Sequence, residues 1–286
     1  MGSSETSPEF VSIIITVRNE ERHLAALLGS LELQPPPFEI VLVDALSRDR
    51  TYEIATEFAE RHPEQLRIYR QFGSRGIGRN LGVARARGDL IAFIDGDCLA
   101  DSGWLRALRA GLARADVVAG DTSTVGNPAY GHLDRVELYQ AGSDVTYPSC
   151  NLAYHRRLFL ELGGFDPRFI TAEDIDLNLR AVRRGARLLY VPEAKVYHEV
   201  RPTFVRFLVQ AFWNGYGRKQ LTEKHGTLWG SYRYRRLLAG QRTPIAWARL
   251  FAALGGYFTR VVLGGDRRLT AGTPPTSSEE TPGLGP

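Results

Sequence analysis

The chain has 286 residues, 43% of them hydrophobic, with 36 Lys/Arg against 32 Asp/Glu and a formal net charge of +4. That composition supports a sizeable buried core and excludes a disordered, collagen-like or disulfide-stapled protein. Cys98 and Cys150 are its only cysteines, too few for a disulfide framework and without the paired spacing of a zinc site, which points to a reducing, cytoplasmic setting.

Residues 1–10 are short and polar, read as a flexible start without a secretory signal. VSIIITV (11–17), FEIVLVD (38–44), LRIYRQF (66–72) and DLIAFID (89–95) read as strands. Being apolar on both faces, they suit a sheet covered by helices on each side. Between them ERHLAALLGSLEL, RTYEIATEFAERH and GRNLGVARARG carry helical spacing, with Pro35 to Pro37 and Gly88 as stops. This βαβ succession predicts an α/β fold with a mostly parallel sheet and right-handed crossovers. Residues 120–150 are punctuated by Gly, Pro and Ser and read as loops and short elements over the sheet edge. LAYHRRLFLELGG then gives a helix, GGFDP a turn, AEDIDLNLRAVRRG a second helix and ARLLYVP a strand. The last stretch, 270–286, has the Pro/Ser/Thr/Glu composition of a disordered tail.

In open α/β sheets ligands bind beyond the carboxyl ends of the strands. Those ends carry Asn19 and Glu20, then Asp44, then Asp95 and Asp97. Two carboxylates at i and i+2 around Gly96 can share one hard divalent cation, and the glycine lets the backbone turn sharply and a ligand approach. Mg2+ or Mn2+ held by few protein oxygens keeps open positions that suit phosphate oxygens. Taken alone, such a triplet more often ends a strand than holds a metal. GIGRNLG offers a G-x-G at a helix start, but Gly82 comes one position later than a dinucleotide fingerprint requires, which excludes a Rossmann dehydrogenase. Cys98, beside the triplet, reads as a small packing residue.

The ordered set VSIIITVRNE, IVLVDALSRD, GIGRNLGVARARGDLIAFIDGD, GGFDPRF and AEDIDLNLRAVRRG resembles the family 2 glycosyltransferases of the GT-A fold, over about residues 11–200. The resemblance implies a catalytic domain with a Rossmann-like nucleotide-sugar-binding half (11–120) and an acceptor half (121–200). It implies that Thr16, Arg18, Glu20 and Asp44 line the nucleotide pocket and that Arg79 and Asn80 lie close to the nucleotide. Asp95 would contact ribose or metal, Asp97 would bind the metal, and His198 in VYHE would complete its coordination. Asp174 matches the family's catalytic base, with Glu173 beside it. The implied reaction is metal-dependent, with Mn2+ or Mg2+, and moves a sugar with inversion from a nucleoside diphosphate sugar, UDP or GDP, to a hydroxyl or lipid-phosphate acceptor. Where the family has V-D-D-G-S, Ala45 and Leu46 replace the second Asp and the Gly, and Thr16 or Val17 stands where a first-strand proline is common. From spacing alone, Glu173 and Asp174 are first-turn acids that favour the helix dipole, and His198 reads as readily as a satisfied histidine as a ligand.

Charge is uneven along the chain. Residues 1–200 hold 23 Lys/Arg against 28 Asp/Glu, whereas residues 201–270 hold 13 against two. The segment 201–269 reads as a basic amphipathic helical extension, in which Arg242, Arg249, Arg260 and Arg267 fall within about 20° of one another at 100° per residue. A cationic stripe against an apolar remainder is the pattern of helices lying on an anionic membrane face. Peripheral contact with the inner face of the cell membrane, and a surface glycan or polyprenyl-phosphate-type acceptor, are the expectations. The alternative is that the segment packs on the domain with its arginines solvated. No recognised nucleic-acid module accompanies the basic residues. Two rival functions predict different features. A sugar nucleotidyltransferase should carry a Gly-rich basic loop where this chain has VRNEERH, and a non-catalytic nucleotide-sugar-binding protein should bind donor without turnover.

Overall fold

The computed structural model describes residues 9–125, 136–199, 203–232 and 243–263. The expected flexible start, tail and several of the arginines of the basic segment therefore lie largely outside the described residues. β1 (Val11–Val17), β2 (Phe38–Asp44), β3 (Leu66–Arg70) and β4 (Leu90–Asp95) alternate with α1 (Leu24–Glu32), α2 (Thr51–Arg61) and α3 (Arg75–Arg85). Then follow β5 (Cys98–Ala100), α4 (Trp104–Leu112), β6 (Val117–Val125) and the short pair β7 (Tyr139–Gln140) and β8 (Ser143–Asp144). β9 (Leu152–His155), α5 (Arg156–Glu161), α6 (Glu173–Arg183) and β10 (Leu188–Glu199) complete the sheet region, and α7 (Phe204–His225) and α8 (Pro244–Val262) come last.

Eight strands form one sheet in the order β3-β2-β1-β4-β9-β6-β10-β5. β1 pairs in parallel with β2 and β4, β2 with β3 and β6 with β10, while β9 runs antiparallel to β4 and β6, and β5 antiparallel to β10. The mostly parallel α/β sheet is as expected, and strand pairing reverses its chain order beside β1 and β4, where such sheets open a ligand crevice.

The apolar strands are explained by two covered faces. Ile13 and Ile15 pack toward the leucines of α1, whose positions 24, 27, 28 and 31 follow helical spacing, while Ile14 points to the opposite cluster with Val83, Phe93 and Phe165. Each such leucine is fully buried, so truncating Leu27 to Ala costs about 2–5 kcal/mol. α3 starts at Ser74, whose side chain accepts from the Ile77 N–H, and lies very close to β1. A Cβ on Gly82 would stand 2.5 Å from Ile14 Cγ2, so only glycine permits the approach that carries Arg79 to the strand ends.

Three features differ from expectation. LAYH is the central antiparallel strand β9 rather than the start of a helix, and only Arg156–Glu161 is helical there. A four-residue strand buried on both faces has no periodicity to separate it from a helix. β5 was not anticipated, being three residues long. Finally, α7 is not an appendage: Leu221 shares a core with Leu138, Phe169, Ile175 and Leu179 of the preceding region.

Candidate active site

Thr16 and Asp95 are register partners at the carboxyl ends of β1 and β4. The loop after β1 is tied to the loop after β2. The Asn19 N–H donates to Ser47 Oγ (2.9 Å), Asn19 Oδ1 accepts from the Arg48 N–H (2.9 Å), and the Glu20 N–H donates to Thr51 Oγ1 (2.7 Å). Arg18 is exposed beside them. Asp44 is fully buried, accepting from the Ser47 N–H at 3.0 Å and from Arg70 Nε at 3.2 Å. Leu46, at the position of the family's glycine, keeps a left-handed backbone with φ 57°. Thr16 Oγ1 is buried without a hydrogen-bond partner among the described residues, an orphaned polar atom at the crevice.

Arg79 is the electrostatic centre. It is 1% exposed and donates to Asp95 Oδ1 (2.5 Å) and to Glu173 Oε1 (2.9 Å), with its guanidinium over the Phe165 ring. Burial works against its charge, but the two carboxylates raise its proton affinity well beyond the ordinary value. Asp95 also has Arg75 at 3.8 Å, so its carboxylate faces arginines. Asn80 holds the backbone of Phe165 with both ends of its amide, at 2.8 and 2.9 Å, fixing the GGFDP turn.

Asp97 turns the other way. β5 runs antiparallel to β10 with Cys98 opposite His198, and this brings His198 Nε2 to 3.3 Å from Asp97 Oδ2. Burial opposes the charge of Asp97, yet the hydrogen bond and charge of His198 hold its carboxyl below the usual range. One ligand atom each from Asp97, Cys98 and His198 lies within 4.8 Å of the others. The buried Cys98 thiol donates to Asp97 Oδ1 at 3.8 Å, and the neighbouring Cys150 and burial push its pKa far up. The Asp97 carboxylate suits a hard cation such as Mn2+ or Mg2+, with the His198 imidazole a second donor better matched to Mn2+ than to Mg2+ and positions left for phosphate oxygens. The Glu20 carboxyl is raised chiefly by burial and also by the charges of Asp97 and Asp95, a crowding of acids that a cation would relieve. Of the three expected metal residues, Asp97 and His198 come together, while Asp95 is engaged by Arg79.

Glu173 and Asp174 open α6, after Ala172 in a left-handed conformation (φ 64°). Glu173 is buried against Arg79. Asp174 is partly exposed; its Oδ1 accepts from the Ile175 N–H (2.8 Å) and its Oδ2 from the Ser149 N–H (3.1 Å). Burial first, and the neighbouring Glu173 charge second, push its pKa up to about 6, a value that suits a general base near neutral pH. Sequence reasoning missed Ser149 and the partners of Asp176. The buried Asp176 carboxylate takes Lys224, His225 and Arg180, each at 2.7 Å. Asp176 could be read from the EDIDL motif, but Lys224 and His225 stand on α7 with no local signal linking them to it.

The sequence profile of glycosyl transferase family 2 matches residues 12–165, and that of glycosyl transferase family group 2 matches residues 90–271. The chain belongs to glycosyl transferase family 2. It is 28% identical over 226 residues to glycosyltransferase AglE of Haloferax volcanii, covering 74% of each chain. It is 27% identical over 270 residues to succinoglycan biosynthesis protein ExoA of Rhizobium meliloti, covering 88% of this chain and 81% of that one. It is also 27% identical to a pre-mycofactocin glycosyltransferase of Mycobacterium tuberculosis, of whose length it spans 48%. Among solved structures, mannosyltransferase PcManGT from Pyrobaculum calidifontis, in complex with GDP-Man and Mn2+, superposes with a TM-score of 0.62 at 21% identity, covering 89% of this chain and 75% of that one. S. aureus TarS in complex with UDP-GlcNAc gives 0.58 at 19% identity, covering 87% and 80%. These likenesses establish the GT-A fold, and family membership makes the protein a glycosyltransferase rather than a sugar nucleotidyltransferase or a binding protein without turnover.

Proposed function

We propose that this glycosyltransferase moves a sugar with inversion from a UDP- or GDP-linked donor to a hydroxyl or phosphate oxygen of a glycan or polyprenyl-phosphate-type acceptor. One observation carries the reading. The buried bridge Asp95–Arg79–Glu173 joins the D-x-D turn to the helix bearing Asp174, across 94 residues of sequence between Arg79 and Glu173. Thr16, Arg18, Glu20 and Asp44 hold the nucleotide end of the donor in this reading, with Arg79 and Asn80 fixing the walls around it. Asp97 and His198 would hold Mn2+ or Mg2+, which would neutralise charge developing on the leaving diphosphate.

Asp174 takes the acceptor proton as the oxygen attacks from the face opposite the leaving group. The Ile175 and Ser149 N–H groups orient its carboxylate. An acceptor phosphate is already ionised, so the base would then matter less.

The test is release of free nucleoside diphosphate from a panel of UDP-, GDP- and dTDP-sugars with Mn2+ or Mg2+, with lipid extract as acceptor source. Wild type should release it only with metal, Asp97→Ala should abolish release, and Asp174→Asn should abolish release that depends on a hydroxyl acceptor. Metal-independent release, or full activity in Asp174→Asn with a hydroxyl acceptor, would overturn the reading.

A further inference from the structure

α7 and α8 turn outward the faces that a soluble helix pair buries. On α8, Trp247, Phe251, Leu254, Phe258 and Val262 are 38–81% exposed, and at 100° per residue they span an arc of about 80°. On α7, Val205, Val209 and Trp213 are 39–69% exposed and span an arc of about 80°. Scattered surface hydrophobics are ordinary; a continuous apolar face on adjacent helices marks a contact surface.

The arginines lie elsewhere. Arg249 and Arg260 project to the opposite side of α8, and Arg260 turns inward to Glu223 at 2.9 Å and Tyr216 Oη at 3.0 Å. The expected outward cationic stripe is therefore corrected where it is described: that face of α8 packs on α7, and the apolar face is the outer one. Arg242 and Arg267 lie outside the described residues. The helices touch through glycine. A Cβ on Gly215 would stand 1.8 Å from the Ala253 carbonyl oxygen, and one on Gly256 1.8 Å from that of Phe212. Close backbone contact through small residues is how helices associate when the medium around them is itself apolar.

We propose that the α7–α8 pair is a docking platform that beds its apolar face into the interfacial zone of an anionic bilayer. Charge selects this occupant. By sequence, residues 201–270 carry a net +11, and Arg233, Arg235, Arg236 and Arg242 fall between the two helices, outside the described residues. Anionic headgroups complement that excess, whereas a second copy of the chain would set it against itself. No described helix is long and apolar enough to cross a membrane, so the pair lies in the leaflet rather than spanning it.

The platform is fastened to the catalytic helix. A Cβ on Gly217 would stand 2.7 Å from Thr171 Cγ2, Gln220 donates to the Arg168 carbonyl at 3.0 Å, and Lys224 bridges Asp166 and Asp176 at 2.7 Å each. These residues flank the loop that leads into Glu173 and Asp174, so docking sets the base side of the cleft beside the headgroups. The proposed function then gains the surface from which its acceptor comes. Vesicle binding requires neither donor nor turnover, so the two readings fail independently.

The experiment uses the intact protein with vesicles of phosphatidylcholine alone or mixed with phosphatidylglycerol. Sedimentation measures binding, and acyl-chain-brominated phosphatidylcholine measures insertion through quenching of Trp213 and Trp247. Wild type should bind the anionic vesicles and be quenched, and Phe251→Glu with Phe258→Glu should weaken binding by at least about tenfold. Both positions are exposed, and an unchanged melting temperature shows that the variant folds. Three results would overturn the proposal: no binding to anionic vesicles, binding that is neither quenched nor weakened by the double variant, or a stable dimer of wild type that the double variant dissociates.

Discussion

Arg79 Nη1 stands 2.9 Å from Glu173 Oε1, and the two side chains are almost wholly excluded from solvent. Neither charge is affordable alone in that setting, so the pair locks α3 to α6. Replacing Arg79 with Met leaves Glu173 uncompensated and Asp95 with only the more distant Arg75, and should cost about 3–5 kcal/mol, read as a fall in the denaturant midpoint. Glu173→Gln keeps a hydrogen-bond acceptor for Arg79 and should cost far less. It also removes the charge that helps raise Asp174, so the acid limb of the pH–rate profile should move to lower pH.

Asp174 itself predicts a pH dependence. Transfer to a hydroxyl needs the carboxylate, so kcat/KM should be level above roughly pH 7 and fall about tenfold per unit below the pKa of about 6. Stability runs the opposite way. A carboxyl raised in the folded state binds its proton more tightly there, so its stabilising contribution is full below pH 3.8 and is lost as pH rises through about 6. Asp174→Asn imitates the protonated form. It should abolish transfer to a hydroxyl, and its stability should change less between pH 4 and pH 7 than that of wild type, checked by calorimetry at both.

Much of this fold could be read from local pattern because its parallel strands are long and apolar on both faces. β1 and β2 run over the residues expected, Val11–Val17 and Phe38–Asp44. The D-x-D turn and the EDIDL helix were legible for the same reason, being acids placed at the ends of apolar elements. What pattern could not supply was direction. Asp95 and Asp97 are two residues apart, yet one faces Arg79 on α3 and the other faces His198 on β10. That division depends on β5 turning back along β10, a three-residue strand without a sequence signature. The arginine stripe of α8 failed differently: the periodicity was right, but periodicity does not say which face meets the protein.

Leu46 tests the loop after β2. A leucine at φ 57° carries a clash between Cβ and the backbone worth about 1–2 kcal/mol, which glycine escapes at some cost in unfolded-state entropy. Its side chain is 43% exposed and contributes little burial. Leu46→Gly should therefore stabilise the protein by about 0.5–1 kcal/mol, and the β-branched Leu46→Val should destabilise it by more than about 1 kcal/mol. Thermal melts of the two variants would show opposite shifts.

The metal assignment turns on which atoms near Asp97 donate. An imidazole must be neutral to bind a metal, and His198 next to Asp97 is held protonated to higher pH than usual, the carboxylate hydrogen bond outweighing the effect of burial. Metal binding must displace that proton, so the Mn2+ concentration giving half-maximal activity should rise as pH falls. His198→Ala removes a donor and should raise the requirement by at least about tenfold at fixed pH, with donor-sugar KM at saturating metal changing much less. Cys98→Ser is the discriminating control. Its thiol lies within the same 4.8 Å cluster, but a protonated buried thiol is a poor ligand, so the metal requirement should stay where it is in wild type. A shift in Cys98→Ser comparable to that in His198→Ala would make the cysteine a donor and displace the carboxylate–imidazole pair as the metal site.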